Sequence, residues 1–157
     1  MEAKNLGNYL TQKLVHKCAM KSVTTEYPLT DEMLKKYRNE LDWDEVSDNR
    51  NIGWTVEMID RWENYLNWKI FSQTSNEALL TPEILEKFKD QWDWGELSGN
   101  QCLKLTFDLI DKYIDRWDWD RLINRWNDEE SKIYSWEFLQ RYEQHIPVEE
   151  YENSCLF

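Results

Sequence analysis

A tryptophan pair recurs along this chain at a nearly constant interval, and that recurrence limits the possible folds more than any other feature. The clearest copies are Trp92-Asp-Trp94-Gly-Glu-Leu97-Ser98-Gly-Asn100 and Trp117-Asp-Trp119-Asp-Arg-Leu122. Weaker copies are Leu41-Asp-Trp43-Asp-Glu-Val46-Ser47-Asp-Asn49 and Leu66-Asn-Trp68-Lys-Ile-Phe71-Ser72. The second Trp stands at 43, 68, 94 and 119, a period of 25, 26 and 25 residues. Periods of this size signal a stack of small repeated units, each too small to bury its own apolar face.

A hydroxyl residue precedes each second Trp by thirteen positions: Thr30, Thr55, Thr81 and Thr106. Ser135 opens a fifth copy, in which Ile146 and Val148 stand in place of the two tryptophans. Counting that hydroxyl as position zero gives every copy the same grammar. A hydroxyl caps a helix by accepting from an orphan N–H, and Pro82 then falls at the first helical position, where proline is favoured. An acid follows at position two (Glu32, Glu57, Glu83, Asp108, Glu137), where the helix dipole favours negative charge. Apolar residues before the cap (Leu29, Trp54, Leu80, Leu105, Tyr134) and at position four (Leu34, Ile59, Leu85, Ile110, Leu139) match a hydrophobic staple.

Positions three, four, seven and eleven form one helical face. The spacing therefore predicts a helix running from the cap to position eleven. Asp42, Asn67, Asp93 or Asp118 should then cap a second, shorter helix carrying the second Trp and the next apolar residue, Val46, Phe71, Leu97 or Leu122. The expected fold class is all-α: stacked pairs of short helices in an α-solenoid-like array, one domain over 1–157. Residues 5–20 should form an amino-terminal cap helix with Leu6, Leu10, Leu14 and Cys18 on one face. Five repeats should occupy 29–151, with an insertion at 124–133 and a degenerate carboxy-terminal cap at 147–157.

The Trp-Asp-Trp, Leu-Ser, Asn pattern resembles the tryptophan-rich repeat found in proteins of bacteria, their mobile elements and some viruses. The resemblance covers residues 29–125 well and 134–151 poorly. That repeat carries no established activity, so the resemblance implies a fold and transfers no catalytic residue.

Charge says more about function. The chain holds 19 basic and 31 acidic residues, a net charge of −12. Residues 1–23 carry +3 and the remainder −15. Such a body repels nucleic acid and anionic membranes and attracts electropositive proteins. Three scattered cysteines suit a reducing compartment. No apolar run reaches membrane-spanning length, and the expected location is the cytoplasm, that of the host if a phage encodes the protein.

Enzyme chemistry finds little footing. His16 and His145 have no Cys or His at metal-ligand spacing, and the four glycines are isolated, so no phosphate loop exists. Asp42, Asp44 and Asp48 alternate like a calcium loop but lack its glycine and closing Glu. No catalytic residue, metal or cofactor is expected.

Acids at position two are followed four residues later by a base (Lys36, Arg61, Lys87, Lys112, Arg141), which suggests ordinary helical ion pairs. The acids at positions five and nine lack that explanation. Asp60, Glu86, Asp90, Asp111 and Asp115 should form an exposed ridge with the spacing of a polyanion mimic. Trp126 lies in the insertion and Trp136 falls one residue after a cap, off the apolar face, and these two are the candidate aromatic contacts. The expected function is a non-enzymatic interaction protein that binds a basic protein or nucleoprotein. Its sharpest form is a phage or mobile-element inhibitor, of the anti-CRISPR or anti-restriction kind, occupying a nucleic-acid groove of a nuclease or defence effector. The alternative is a repeat adaptor that recognises a peptide or protein through exposed aromatics.

Overall fold

A computed structural model describes residues 2–125 and 133–148, with side chains from Thr11 and at Tyr9. The described residues form ten α-helices and one 3₁₀ turn, with no strand. They divide into two compact units, 1–67 and 68–157, and the division falls inside the second repeat rather than at a linker-like stretch. In a repeat protein each copy contacts only its neighbours, so compactness is a property of neighbouring groups.

The first unit begins with α1 (Glu2–Glu26), longer at both ends than the expected 5–20. It continues with α2 (Asp31–Tyr37), α3 (Trp43–Asp48) and α4 (Val56–Trp62). The second unit holds α5 (Trp68–Phe71), α6 (Pro82–Lys87), α7 (Trp94–Gly99), α8 (Phe107–Lys112), α9 (Trp119–Ile123) and α10 (Trp136–Tyr142). A 3₁₀ turn at Glu77–Leu79 precedes α6. The second helix of the fifth copy and most of the carboxy-terminal cap lie outside the described residues.

All five hydroxyl caps form as the spacing predicts. Thr30, Thr55, Thr81, Thr106 and Ser135 accept from the N–H three residues on, at 3.1–3.4 Å. Asp42, Asp93 and Asp118 cap the second helices. Each second helix begins at its Trp.

The first helix of each repeat is shorter than expected. It ends at position six or seven, and positions eight to eleven form turns. The second Trp supplies a reason. Its indole N–H donates to the carbonyl at position eight: Trp43 to Arg38 at 2.9 Å, Trp94 to Lys89 at 2.8 Å and Trp119 to Ile114 at 3.3 Å. That bond satisfies a helix-end carbonyl and folds the chain back into the second helix.

The Leu-Ser and Asn letters of the motif are also explained. Ser47, Ser72 and Ser98 are buried and donate to the carbonyl four residues back at 2.6 Å. The same oxygens accept the backbone N–H of Asn67, Asp93 and Asp118, the capping residue of the next repeat, at 2.9–3.0 Å. Asn100 donates to the carbonyls of Ser72 and Thr74 while accepting from the Cys102 N–H. Asn49 does the same with Thr24, Tyr27 and Asn51. In the fourth copy Ile123 and Arg125 replace Ser and Asn. Both are buried, Arg125 donates to the Leu103 carbonyl, and burial pushes its guanidinium pKa below the ordinary value.

Aromatic contacts join one repeat to the next. Trp43 meets Trp62 and Tyr65, and Trp68 meets Phe88 and Trp92. Trp94 meets Tyr113 and Trp117, and Trp119 meets Tyr142 and His145. Ring centroids lie 4.5–5.6 Å apart throughout, the range of favourable aromatic pairs. Trp92 and Trp117 are buried, but Trp94 and Trp119 are only half-buried despite their central position.

Of the expected apolar face of α1, Leu6 and Leu10 lie outside the described side chains, and the other two are not packed. Leu14 and Cys18 are exposed, whereas Thr24 is buried and Met20 and Val23 half-buried. Among the described side chains of α1, the buried and half-buried ones lie in its last turns.

Candidate interaction surface

The five candidate acids share no common environment. Asp60 is exposed on α4 in the first unit. The other four belong to the second unit. Glu86 is half-exposed on α6 and accepts three charge-assisted or short hydrogen bonds. They come from the Tyr113 hydroxyl at 2.5 Å and from the ammonium groups of Lys89 and Lys112, each at 2.9 Å. Tyr113 first, then the two lysines, hold its carboxyl down at about 2. Asp111 on α8 accepts from the Tyr142 hydroxyl at 2.7 Å and pairs with Arg141, and both depress its pKa. In return, Tyr113 and Tyr142 are raised, first by burial and then by the carboxylate each faces.

These contacts form a latch with fixed grammar. The acid at position five of one repeat receives the ring donor at position seven and the cation at position six of the next. The first unit carries a variant. Position five of the first copy is Lys35, and Asp31, one helical turn earlier, takes the carboxylate's place. Asp31 accepts from Lys35 at 2.6 Å, from the Trp62 indole at 3.0 Å and from Arg61, and Lys35 leads in holding its pKa at about 2.

Glu86 and Asp111 are thus engaged between repeats rather than standing on a free ridge. At position nine, Asp90 is exposed and pairs with Arg116 at 2.6 Å. Arg116 also donates to the Lys89 carbonyl and lies over the Trp94 ring. Asp115 is exposed and has no ion pair among the described residues.

The latch changes the expectation for position two as well. Arg61, Lys112 and Arg141 reach back to the preceding repeat instead of serving only their own helix. Glu83, Asp108 and Glu137 are left exposed, with no ion pair among the described residues. Equivalent rings meet across each repeat boundary in this unit, so these three acids hold the same position in successive repeats. Sequence reasoning missed this row. The available signal was the tyrosine at position seven of the fourth and fifth copies, whose buried hydroxyl needs a partner.

Trp136 opens α10 and is 71% exposed. Trp126 lies outside the described residues. Among the described residues no group of three or more His, Cys, Asp or Glu side chains comes together to hold a metal, and no helix is long and apolar enough to cross a membrane. His16 meets Glu40 at 2.7 Å, and His145 stacks on Trp119. In the first unit an open groove of about 860 Å³ runs between α1 and the first repeat, with Lys13, Lys17 and Lys21 on one side and Met20, Leu41 and Trp43 among its apolar lining.

Compared with known proteins, the chain matches no family model, no curated protein and no solved structure.

Proposed function

We propose that this protein is a non-enzymatic, acidic interaction protein of the tryptophan-rich repeat kind, which binds an electropositive protein or nucleoprotein. The observation that carries the reading is the row of Glu83, Asp108 and Glu137, together with Asp115, exposed in the second unit with no ion pair among the described residues. A chain already at −12 that leaves such carboxylates uncompensated maintains a field that draws cationic surfaces. Carboxylates that recur once per repeat suit a partner that carries a row of cationic groups. In its sharpest form the partner is a nuclease or defence effector in a bacterial cytoplasm, and the protein is a mobile-element inhibitor that competes with nucleic acid.

The test is capture of cationic partners from a bacterial lysate at about 50 mM and 500 mM salt, with duplex DNA as competitor. Binding that weakens steeply with salt and yields to DNA supports the reading, because exposed charges are screened within about 8–10 Å. Binding indifferent to both overturns it. That second result would favour an aromatic adaptor, a reading supported by the exposed indole of Trp136.

A further inference from the structure

Among the described residues, two surfaces lack a cover and complement each other. The first is the groove beside α1. Lys13, Lys17 and Lys21 follow one another at helical i, i+4 spacing along it, are exposed, and have no ion pair among the described residues. Glu40, which meets His16, and Asp42 also line the groove, so the three lysines outnumber the carboxylates beside them. Beneath them lie Met20, Leu41 and Trp43. Between Lys13 and Lys17, α1 exposes Leu14 and Val15, at 64% and 63%.

The second surface is the start of α10. Trp136 occupies position one of its repeat. Phe107 holds the same position one repeat earlier, and there the next repeat covers it: the Arg141 guanidinium lies 5.3 Å from its ring centre and the Tyr142 ring 6.2 Å away. That environment is a cation beside an aromatic. Trp136 remains 71% exposed, and its neighbour Glu137 has no ion pair among the described residues. The α1 groove offers the same pair of covers, a lysine ammonium and the Trp43 ring, with Lys13, Lys17 and Lys21 available to Glu137. The occupant that fits in both charge and polarity is therefore present in the chain itself.

We propose that the protein associates head to tail, with Trp136 and Glu137 of one copy seated in the lysine-rimmed groove between α1 and the first repeat of a second copy. The interface is heterologous: each copy presents one knob and one groove. Pairing of two α1 helices is disfavoured, because it would bring two lysine rows together. Trp136 supplies apolar area, and the lysines supply orientation and association rate.

The test is sedimentation velocity on the full chain from about 1 to 200 μM in 50 mM salt. Wild type should form complexes larger than a monomer. Trp136→Ala, which keeps the groove, and the triple variant Lys13→Glu, Lys17→Glu, Lys21→Glu, which keeps the knob, should each weaken association at least tenfold. Mixing the two variants is decisive. Each lacks what the other has, so the mixture should give a 1:1 complex that does not extend further. Far-UV circular dichroism checks that both variants fold, and Glu137→Lys provides a second knob variant if Trp136→Ala does not. A wild type that stays monomeric at 200 μM, or a mixture that shows no 1:1 complex, overturns the proposal. The outcome is separable from the external-partner reading: Trp136→Ala should leave salt-sensitive capture of a basic partner intact, whereas charge reversal at Glu83, Asp108 and Asp115 should remove that capture.

Discussion

The Tyr113 hydroxyl donates a 2.5 Å hydrogen bond to the Glu86 carboxylate, which lies 27 residues earlier and one repeat away. Tyr142 repeats the contact with Asp111, 31 residues earlier, at 2.7 Å. Both rings are buried, so each hydroxyl must find its acceptor within the protein. These pairs turn acids that look like surface charge into inter-repeat fasteners.

Tyr142→Phe should therefore destabilise the protein by about 1–2 kcal/mol, the range for a hydrogen bond to a charged partner. Tyr37→Phe alters a half-buried ring at the same position of the first copy, whose repeat follows no earlier copy, and should cost less than about 0.5 kcal/mol. Urea unfolding of both variants measures the difference. Equal midpoints would remove the latch from the stability of the fold.

Acid should loosen these fasteners. Asp31 and Glu86 titrate near 2 in the folded protein, below their ordinary 3.8 and 4.5. Between those limits the unfolded chain binds more protons than the folded one, so stability falls as pH falls. The contribution is complete above about pH 4.5 and is lost progressively down to about pH 2. Thermal midpoints from pH 6 to pH 2 check it. In Glu86→Gln, whose position 86 no longer titrates, the dependence over that window should be shallower.

Ser98→Ala should cost about 1–3 kcal/mol. Its oxygen is fully buried and is the acceptor for the Asp118 N–H at 2.9 Å, so removing it orphans a buried donor. Chemical denaturation gives the magnitude, and hydrogen exchange at the Asp118 amide should accelerate.

The two tryptophans of one motif should behave differently. Trp117 is buried, and Trp117→Ala should cost about 3–5 kcal/mol. Trp94 is half-buried but donates to the Lys89 carbonyl. Trp94→Phe, which preserves ring packing, should cost about 0.5–1.5 kcal/mol for the lost bond. Comparing the two denaturation curves separates burial from hydrogen bonding.

For binding, Glu83→Lys, Asp108→Lys and Asp115→Lys together should abolish salt-sensitive capture while leaving the helical spectrum unchanged. Glu86→Gln should lower stability and leave capture within about twofold. The reverse pattern would return the binding role to the position-five acids.

Short-range patterns in the chain fix the helix register. Thr30, Thr55, Thr81, Thr106 and Ser135 cap helices, and the second helices begin at Trp43, Trp68, Trp94 and Trp119. The apolar residues at positions seven and eleven from Trp62 to Trp117 are buried. Capping and periodicity act within a few residues, so they are readable without knowing what lies across the fold. Tertiary structure alone decided where each first helix ends, which acids are engaged and which face of α1 is seated. An arginine or lysine at position six can reach an acid in its own helix or one in the preceding repeat. Its choice depends on whether that second acid also faces a buried Tyr hydroxyl or Trp indole, as Glu86, Asp111 and Asp31 do. That Glu83, Asp108 and Glu137 stay exposed without an ion pair among the described residues is therefore decided by contacts between residues about one repeat apart in the sequence.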